Sequence, residues 1–239
     1  MDKRVLILTG YTEMDSLNGH NFEDNPMIFK EVFDFCLASK ERYAAKYGYD
    51  FMCLRSFGKD SNGLIKSSDT GRMRTVVCLE MVKSYDYVFW IDGDSIITND
   101  SFGIEDFVEV DSEEIVYYAS YDWPAFSKEQ GLFGNGNYVV ANNKNTDEFY
   151  KGFLSCTHSY ENEQSTLNSM NKDGGYFKFF KILEHEYLNA APAHEDILRK
   201  HQRHEIGGEW TDENFLCHFT GLKNDQRLYI LNKYFSDYK

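Results

Sequence analysis

The chain has 239 residues, of which 42% are hydrophobic and 16% aromatic, and this composition excludes an intrinsically disordered protein. Its formal net charge of −14 argues against a nucleic-acid-binding protein, because phosphate backbones require a basic surface. The five cysteines show no Cys-x-x-Cys spacing, which argues against a disulfide framework or a structural zinc site and fits reduced thiols in a cytosolic protein.

The first hundred residues alternate between strand and helix patterns. Short apolar runs predict three strands, and longer runs with helical apolar spacing predict two helices between them. Asn25 and Pro26 can begin the first helix, and Asp69 can cap the second. This strand–helix–strand–helix–strand order predicts an α/β fold with a parallel sheet. In chain order the runs are residues 4–10, 27–48, 49–56, 70–84 and 87–91.

The later part of the chain continues this mixture of strand and helix patterns. Two further strands are expected, and a turn of Gly134, Asn135 and Gly136 is expected to lead into the second of them. The last third is irregular and rich in His, Glu and Gly. The expected strands are residues 113–122 and 137–142, and the expected helices are residues 145–155 and 162–172.

Asp92 and Asp94 directly follow the third predicted strand, where ligands bind in parallel α/β sheets. Ionised carboxylates beside a hydrophobic core are costly unless something pairs with them. Two carboxylates at i and i+2 of a tight turn can hold Mg²⁺ or Mn²⁺, which bridge to substrate phosphates. The alternative is structural: Asp94 caps a loop, and Asp92 pairs with a lysine or arginine.

Three functional classes place acidic residues in this way. A calcium-binding EF-hand loop is excluded, because its fifth and sixth positions would be Ile96 and Ile97. A haloacid-dehalogenase-like phosphohydrolase also has Asp-x-Asp after an apolar strand, but usually near the N-terminus, whereas two strands and two helices come first here. The third class is a nucleotide-sugar glycosyltransferase with a Rossmann-like half-sheet.

Five segments, which occur in order, resemble glycosyltransferase family 34, the family of plant xyloglucan xylosyltransferases and yeast Golgi galactosyl- and mannosyltransferases. The Asp-x-Asp together with the C-terminal His-Phe-x-Gly-x-Lys motif carries most of the resemblance. The segments are SKERYAAKYGYDF, GRMRTVVCLEMVKSYDYVFWIDGDSIITND, GLFGNGNYVVANN, NEQSTL and FLCHFTGLK.

The resemblance implies a GT-A fold, in which a Rossmann-like, mostly parallel central sheet is flanked by helices. It implies one domain over residues 1–239, with a nucleotide-binding half over 1–100 and an acceptor-side half over 101–239. It also implies sugar transfer from a nucleotide-diphosphate sugar, with UDP favoured, to an oligosaccharide or glycoprotein glycan. The transfer would retain anomeric configuration and use Mn²⁺ or Mg²⁺.

For the metal and the diphosphate, the resemblance assigns residues from two segments that are far apart in the sequence. Asp92 and Asp94, with Gly93 between them, match the pair that holds metal and donor. His218 matches the histidine that completes the metal site; the alternative is a core histidine in a strand. Gly221 and Lys223 belong to the same C-terminal motif, in which the lysine meets the diphosphate.

For the sugar and the base, the assignments are less specific. Glu163 and Gln164 match an acidic-residue–Gln pair near the anomeric carbon, or else are ordinary first-turn helix residues. The remaining donor candidates either approach the sugar and nucleotide or have ordinary structural roles. Asn135, Gly136 and Asn137 are candidates to approach sugar hydroxyls, and Thr9, Gly10 and Tyr11 are candidates to contact the base and ribose. Arg72 lies where the family often has Lys, and Trp123 and Trp210 are candidate sugar platforms.

The chain departs from the family in its location signals. The family members are anchored in Golgi membranes, whereas this sequence shows no signal peptide or membrane span. We therefore expect a cytoplasmic enzyme of bacterial or large-virus origin. A non-enzyme alternative is a carbohydrate-binding module that lost turnover, and the survival of Asp-x-Asp, His218 and Lys223 disfavours it.

Overall fold

The computed structural model of the protein describes residues 3–11, 26–55, 70–122, 130–156, 163–172, 175–192 and 209–238. The predicted helix caps Asn25 and Asp69 lie outside these residues, as does Trp123. Within the described ranges, no helix is both long enough and apolar enough to span a membrane. All five cysteines are free thiols.

The described elements follow the predicted alternation of strands and helices. The strands are β1 (Val5–Tyr11), β2 (Asp50–Arg55), β3 (Tyr87–Ile91), β4 (Ser95–Ile97), β5 (Tyr117–Tyr121), β6 (Phe133–Ala141), β7 (Phe180–Leu183) and β8 (Leu216–His218). The helices are α1 (Pro26–Tyr47), α2 (Thr70–Met81), α3 (Thr146–Cys156), α4 (Glu163–Lys172), α5 (His185–Leu188) and α6 (Asn224–Tyr234).

Six of these strands form one sheet in the order β2-β1-β3-β6-β5-β7. β1 pairs in parallel with β2 and β3, and β5 pairs in parallel with β7, whereas β6 is antiparallel to both of its neighbours. The predicted α/β fold with a mostly parallel sheet is confirmed. A separate antiparallel pair, β4 and β8, places Ser95 opposite His218.

Side chains of the central strands enter hydrophobic cores on both faces of the sheet. A strand buried on both faces requires an apolar residue at every position, which is why β3 is a continuous apolar run. Each fully buried aliphatic or aromatic side chain contributes about 1.5–3 kcal/mol. In β1 and β3, Leu6, Leu8, Val88 and Trp90 belong to one core, and Val5, Ile7, Phe89 and Ile91 to the other.

Two strands begin four residues away from their predicted starts. β6 begins at Phe133, so Gly134, Asn135 and Gly136 are strand residues and the predicted turn is wrong. Pairing at both ends of this segment, of Phe133 with β5 and of Asn137 with β3, continues the strand through it despite the turn preference of glycine and asparagine. β5 begins at Tyr117 rather than at residue 113.

Candidate active site

The turn that carries Asp92 and Asp94 joins β3 to β4 at the carboxyl end of β3. The Ser95 amide donates to the Asp92 carbonyl at 3.1 Å, which closes the turn. From the β6 side, the Asp92 amide donates to the Gly136 carbonyl and to Asn137 Oδ1, both at 3.0 Å. The turn is therefore attached to β6, the strand that carries the predicted sugar residues.

Gly93 allows the opposite side of this turn to lie against β1 and α1. A Cβ at Gly93 would be 2.9 Å from a ring carbon of Phe33 and 3.3 Å from the carbonyl oxygen of Gly10. Thr9 is buried, and its hydroxyl donates to the Ile91 carbonyl at 2.6 Å, which ties the ends of β1 and β3 together. Thr9, through its hydroxyl, and Gly10 and Gly93, through the close approach of their backbones, thus support the turn.

The fold brings Asp92, Asp94 and His218 together, as the sequence predicted. His218 Nε2 lies 3.5 Å from Asp94 Oδ1 and 3.9 Å from Asp92 Oδ2. Each residue offers one ligand atom, and these atoms all lie within 4.8 Å of one another. The β4–β8 pairing causes this approach, and the Phe219 amide reinforces it by donating to the Asp94 carbonyl at 3.1 Å.

Cations hold the other oxygen of each carboxylate. Arg74 donates to Asp92 Oδ1 at 2.5 Å, and Trp90 Nε1 donates to the same oxygen at 2.7 Å. Arg227 lies 2.9 Å from Asp94 Oδ2, and both of these side chains are largely buried. As a result, Asp92 Oδ2 and Asp94 Oδ1 are the oxygens that face His218.

This donor set fits a divalent cation. Two carboxylate oxygens and one imidazole nitrogen suit Mn²⁺, and carboxylates alone also suit Mg²⁺. Burial acts to raise the pKa of Asp94, but the charge of Arg227, together with the neighbouring His218, outweighs it and holds that pKa well below its usual range. Asp94 is therefore ionised, as a metal ligand must be.

The first turn of α4 places Glu163 and Gln164 in different environments. Glu163 is 3% exposed, accepts from Arg74 Nε at 3.0 Å, and accepts a hydrogen bond from the Thr75 hydroxyl. Burial raises the pKa of Glu163 to about 7, although Arg74 and the Thr75 hydrogen bond act in the opposite direction. The Gln164 amide nitrogen instead donates to Asp122 Oδ2 at 2.7 Å.

Two adjoining cavities meet at these residues. A cavity of about 230 Å³ includes the three candidate metal ligands, and a cavity of about 540 Å³ extends along α4. Arg74, Asn135 and Gln164 line both cavities, whereas Glu163 lines only the larger one. Of the predicted pair, Gln164 is therefore the residue that faces the candidate metal ligands.

Other predicted site residues support the site rather than line it. The Asn137 amide nitrogen donates to the Leu188 carbonyl at 2.9 Å, so this side chain bridges the Asp92 turn to the end of α5. Trp210 donates to the Thr98 hydroxyl at 2.9 Å and packs against the ring of Phe235, which makes it part of a hydrophobic cluster.

Four further predicted residues lie on or next to β1, α2, β8 and α6. Tyr11 ends β1, and Arg72 lies on α2 but does not line either cavity. Gly221 has a φ of +74°, which favours glycine, and it separates β8 from α6. Lys223 immediately precedes α6, and its amide donates to Gln226 Oε1 at 3.1 Å.

Among the polar residues that sequence reasoning missed are four that contact the candidate metal ligands or Gln164, and one of these four had a usable signal. Asp122 directly follows β5, which runs in the same direction as β3, so the rule that selected Asp92 also applies to it. The other three lie on helices or irregular segments whose orientation only the packed structure fixes. They are Arg74, Asn189 and Arg227.

Comparison with known proteins identifies the fold. No family model matches the chain, and no curated protein matches it. Solved glycosyltransferases with the GT-A fold are similar in structure at low identity, so the shared property is the fold.

Three of these structures illustrate the range. A glycosyltransferase involved in the glycosylation of the major capsid of PBCV-1 has a TM-score of 0.61 and 15% identity, covering 96% of this chain and 98% of that chain. GlyE of Streptococcus pneumoniae has a TM-score of 0.54 and 16% identity, covering 99% of this chain and 64% of that chain. The galactosyltransferase LgtC, solved with donor and acceptor sugar analogues, has a TM-score of 0.51 and 13% identity, covering 90% of this chain and 87% of that chain.

Proposed function

We propose that this protein is a metal-dependent glycosyltransferase that moves a sugar from a nucleotide-diphosphate sugar, with UDP favoured, to a glycan acceptor. The observation that carries the proposal is the convergence of Asp92, Asp94 and His218 beside a polar cavity at the carboxyl end of β3. The GT-A fold and the family 34 resemblance both support it. The two-half division of residues 1–239 and the cytoplasmic location remain predictions.

The metal end of the site would act on the leaving group. A bound Mn²⁺ or Mg²⁺ would neutralise the diphosphate and stabilise the charge that grows as the nucleoside diphosphate departs. Asp92, Asp94 and His218 would hold the cation. Lys223 would add positive charge near the diphosphate in a chain whose net charge is −14. Tyr11, at the end of β1, would seat the base and ribose, and the buried Thr9 and Gly10 would support it from within the strand.

The sugar end of the site would lie in the larger cavity. Six of its eight lining residues carry amide, hydroxyl, carboxyl or guanidinium groups, which suit the hydroxyl groups of a sugar. The lining side chains with polar groups are Arg74, Asn135, Glu163, Gln164, Ser165 and Asn168.

Gln164 would face the anomeric carbon. Its amide nitrogen donates to the Asp122 carboxylate, which can only accept, so its carbonyl oxygen is the end directed away from Asp122. That oxygen would steady an oxocarbenium-like transition state from the face opposite the leaving group. The acceptor hydroxyl would then attack from the leaving-group side, so that configuration is retained.

The two alternatives from the sequence receive less support. The structurally similar proteins described above are glycosyltransferases, which does not favour a haloacid-dehalogenase-like phosphohydrolase. A binding module without turnover would need the polar cavity but not three convergent metal-ligating atoms.

A thermal-shift screen of UDP- and GDP-sugars, with and without Mn²⁺, tests the proposal. A true donor at about one hundred times its Kd stabilises the folded state by about 2.7 kcal/mol, which shifts Tm by roughly 5–10 °C. This shift should require Mn²⁺ and should disappear in Asp94→Asn. The enzyme should also slowly release free sugar and nucleoside diphosphate without an acceptor. An acid-labile phosphoenzyme at Asp92 would instead identify a phosphohydrolase.

A further inference from the structure

The structure assigns Asn189 as the residue that sets the tautomer of His218 and thereby directs Nε2 of the ring to the metal position. This inference rests on the proposed function only in calling Nε2 a metal ligand. The tautomer itself follows from hydrogen bonds within the chain. The assignment makes Asn189 a positioning residue, which acts through His218.

Asn189 lies immediately after α5 in a segment held by backbone hydrogen bonds. Its amide donates to the His185 carbonyl at 2.8 Å, and its side chain is buried. The His218 amide donates to the neighbouring Ala190 carbonyl at 2.8 Å, so β8 runs beside this segment. The imidazole ring and the Asn189 side chain therefore share one rigid frame.

A backbone carbonyl determines which way the Asn189 amide points. Asn189 Nδ2 lies 3.1 Å from the Tyr121 carbonyl oxygen, which can only accept a hydrogen bond. The amide nitrogen must face Tyr121, because an amide oxygen there would meet another acceptor. Consequently Asn189 Oδ1 faces Nδ1 of His218, at 2.8 Å.

Gly134 provides the space for this arrangement. A Cβ at Gly134 would be only 3.0 Å from Asn189 Nδ2 and 3.2 Å from Asp122 Oδ1. A side chain at this position of β6 would push the amide away from the Tyr121 carbonyl. The absence of a side chain at Gly134 therefore helps to orient the Asn189 amide.

The amide oxygen in turn fixes the proton of the ring. Asn189 Oδ1 can only accept, so in neutral His218 the proton lies on Nδ1 and the lone pair on Nε2. That lone pair faces carboxylate oxygens of Asp94 and Asp92 at 3.5 and 3.9 Å. Three lone-pair donors thus converge without a hydrogen between them, which is an arrangement suited to a cation.

Without Asn189, the same carboxylates would favour the other tautomer. A proton on Nε2 could donate to Asp94 Oδ1, which would satisfy both groups and block both ligand atoms. Asn189 prevents this internal pairing. A residue that only supported the local fold would not affect the position of the ring proton.

Nitrogen-15 NMR of histidine-labelled, metal-free protein at pH about 8.5, where an ordinary histidine is neutral, tests the assignment. The His218→Ala protein identifies the resonances of this ring among the seven histidines. Wild type should carry the proton on Nδ1, and Asn189→Leu should move it to Nε2. Mn²⁺ affinity, measured by calorimetry, should fall about 10–100-fold in Asn189→Leu.

Asn214→Leu provides the matched control. Asn214 is also a buried asparagine, and it lies four residues before His218. Its Oδ1 accepts a hydrogen bond from the Thr211 amide. This variant should lose stability while the His218 tautomer and Mn²⁺ affinity stay as in wild type. Gly134→Ala should reproduce the tautomer change with Asn189 intact.

Two results would overturn the assignment: a wild-type ring protonated on Nε2, or an Asn189→Leu ring still protonated on Nδ1. The first is read from wild type, so it does not depend on any variant folding. If the tautomer changes as expected but wild type binds neither Mn²⁺ nor a nucleotide-sugar, the proposed function fails and the role of Asn189 in setting the tautomer is supported.

Discussion

A Cβ at Gly136 would lie 2.4 Å from Cε1 of His218. The same atom would be 3.0 Å from Asp92 Oδ2, at the lower limit for a real contact. The absence of a side chain at Gly136 therefore allows the imidazole to approach the carboxylate across β6. This glycine is a condition for the candidate metal site rather than a turn residue.

We expect Gly136→Ala to displace the His218 ring and lower Mn²⁺ affinity by at least about tenfold. Isothermal titration calorimetry on the folded variant measures this loss. Val140→Ala on the same strand is the control, because Val140 is buried in the core and its truncation costs about 2 kcal/mol of stability. That control should bind Mn²⁺ like wild type. Unchanged affinity in Gly136→Ala would mean that His218 is not a ligand.

The Arg227–Asp94 pair predicts a link between metal binding and stability. Both side chains are about 14% exposed or less, and their atoms are 2.9 Å apart. Removing Arg227 leaves the Asp94 charge buried and unpaired, which should cost roughly 3–5 kcal/mol in metal-free protein. Because Mn²⁺ supplies positive charge to Asp94, Arg227→Met should gain more in Tm from Mn²⁺ than wild type does.

The exposed pair Lys144–Glu113 gives the comparison for this experiment. Its side chains are 62% and 75% exposed, so Lys144→Met should leave the stability of the metal-free protein close to that of wild type. The Tm gain from Mn²⁺ in Lys144→Met should equal that of wild type. An equal gain in Arg227→Met as well would show that Asp94 does not bind the metal.

The parts of the fold that depend on local patterns could be predicted from the sequence. β3 was predicted at its observed bounds, because a strand buried on both faces leaves a continuous apolar run. The start of β6 could not be predicted, because pairing with β3 and β5 overrides the turn chemistry of Gly134 to Gly136. The local apolar pattern determines β3, whereas pairing with neighbouring strands determines where β6 begins.

The candidate site shows the same division. The resemblance identified Asp92, Asp94 and His218 from residues distant in sequence, and the fold brings them together. The resemblance named Arg72 and did not name Arg74, because the rotation of α2 about its axis cannot be read from the sequence. Packing of α2 sets that rotation, since Thr75 is buried and Arg74 beside it lines both cavities.

Matched substitutions of the two arginines test which one serves the donor. Arg74→Gln removes the side chain that bridges Asp92 and Glu163, so kcat/KM should fall by at least about 100-fold, a loss of about 2.7 kcal/mol. Arg72→Gln, on the same helix, should cause a clearly smaller loss. Steady-state kinetics with the donor identified by the thermal-shift screen measures both. A larger loss in Arg72→Gln would restore the sequence prediction.

The buried carboxyl of Glu163 predicts a pH dependence of stability. Its pKa is raised from 4.5 to about 7 by burial, so the folded state holds the proton more tightly than the unfolded state. The stabilisation is fully present below pH about 4.5 and is lost as pH rises through about 7. Relative to Glu163→Gln, wild type should therefore lose about 3 kcal/mol between pH about 4 and about 8.

Urea unfolding of metal-free wild type and Glu163→Gln across this range measures the difference. Glu148→Gln on the exposed face of α3 is the control. Because Glu148 is exposed in the folded protein, the stability difference between this variant and wild type should not change in the same way with pH. A wild-type difference from Glu163→Gln that stays constant with pH would show that the pKa of Glu163 is the same in the folded and unfolded states.

The hydrogen bond between Gln164 and Asp122 predicts non-additive effects on turnover. Asp122 Oδ2 accepts from Gln164 Nε2 at 2.7 Å, and this bond directs the glutamine carbonyl away from Asp122. If that carbonyl stabilises only the transition state, Gln164→Ala should lower kcat about 100-fold and leave donor Kd within about threefold. Asp122→Ala should lower kcat by a similar factor, because it releases the amide, and the double variant should be no slower than Gln164→Ala.

Single-turnover kinetics with Mn²⁺ and the identified donor measures all three variants. Multiplying losses would show that the two residues act independently, and a loss confined to donor Kd would place Gln164 in ground-state binding instead.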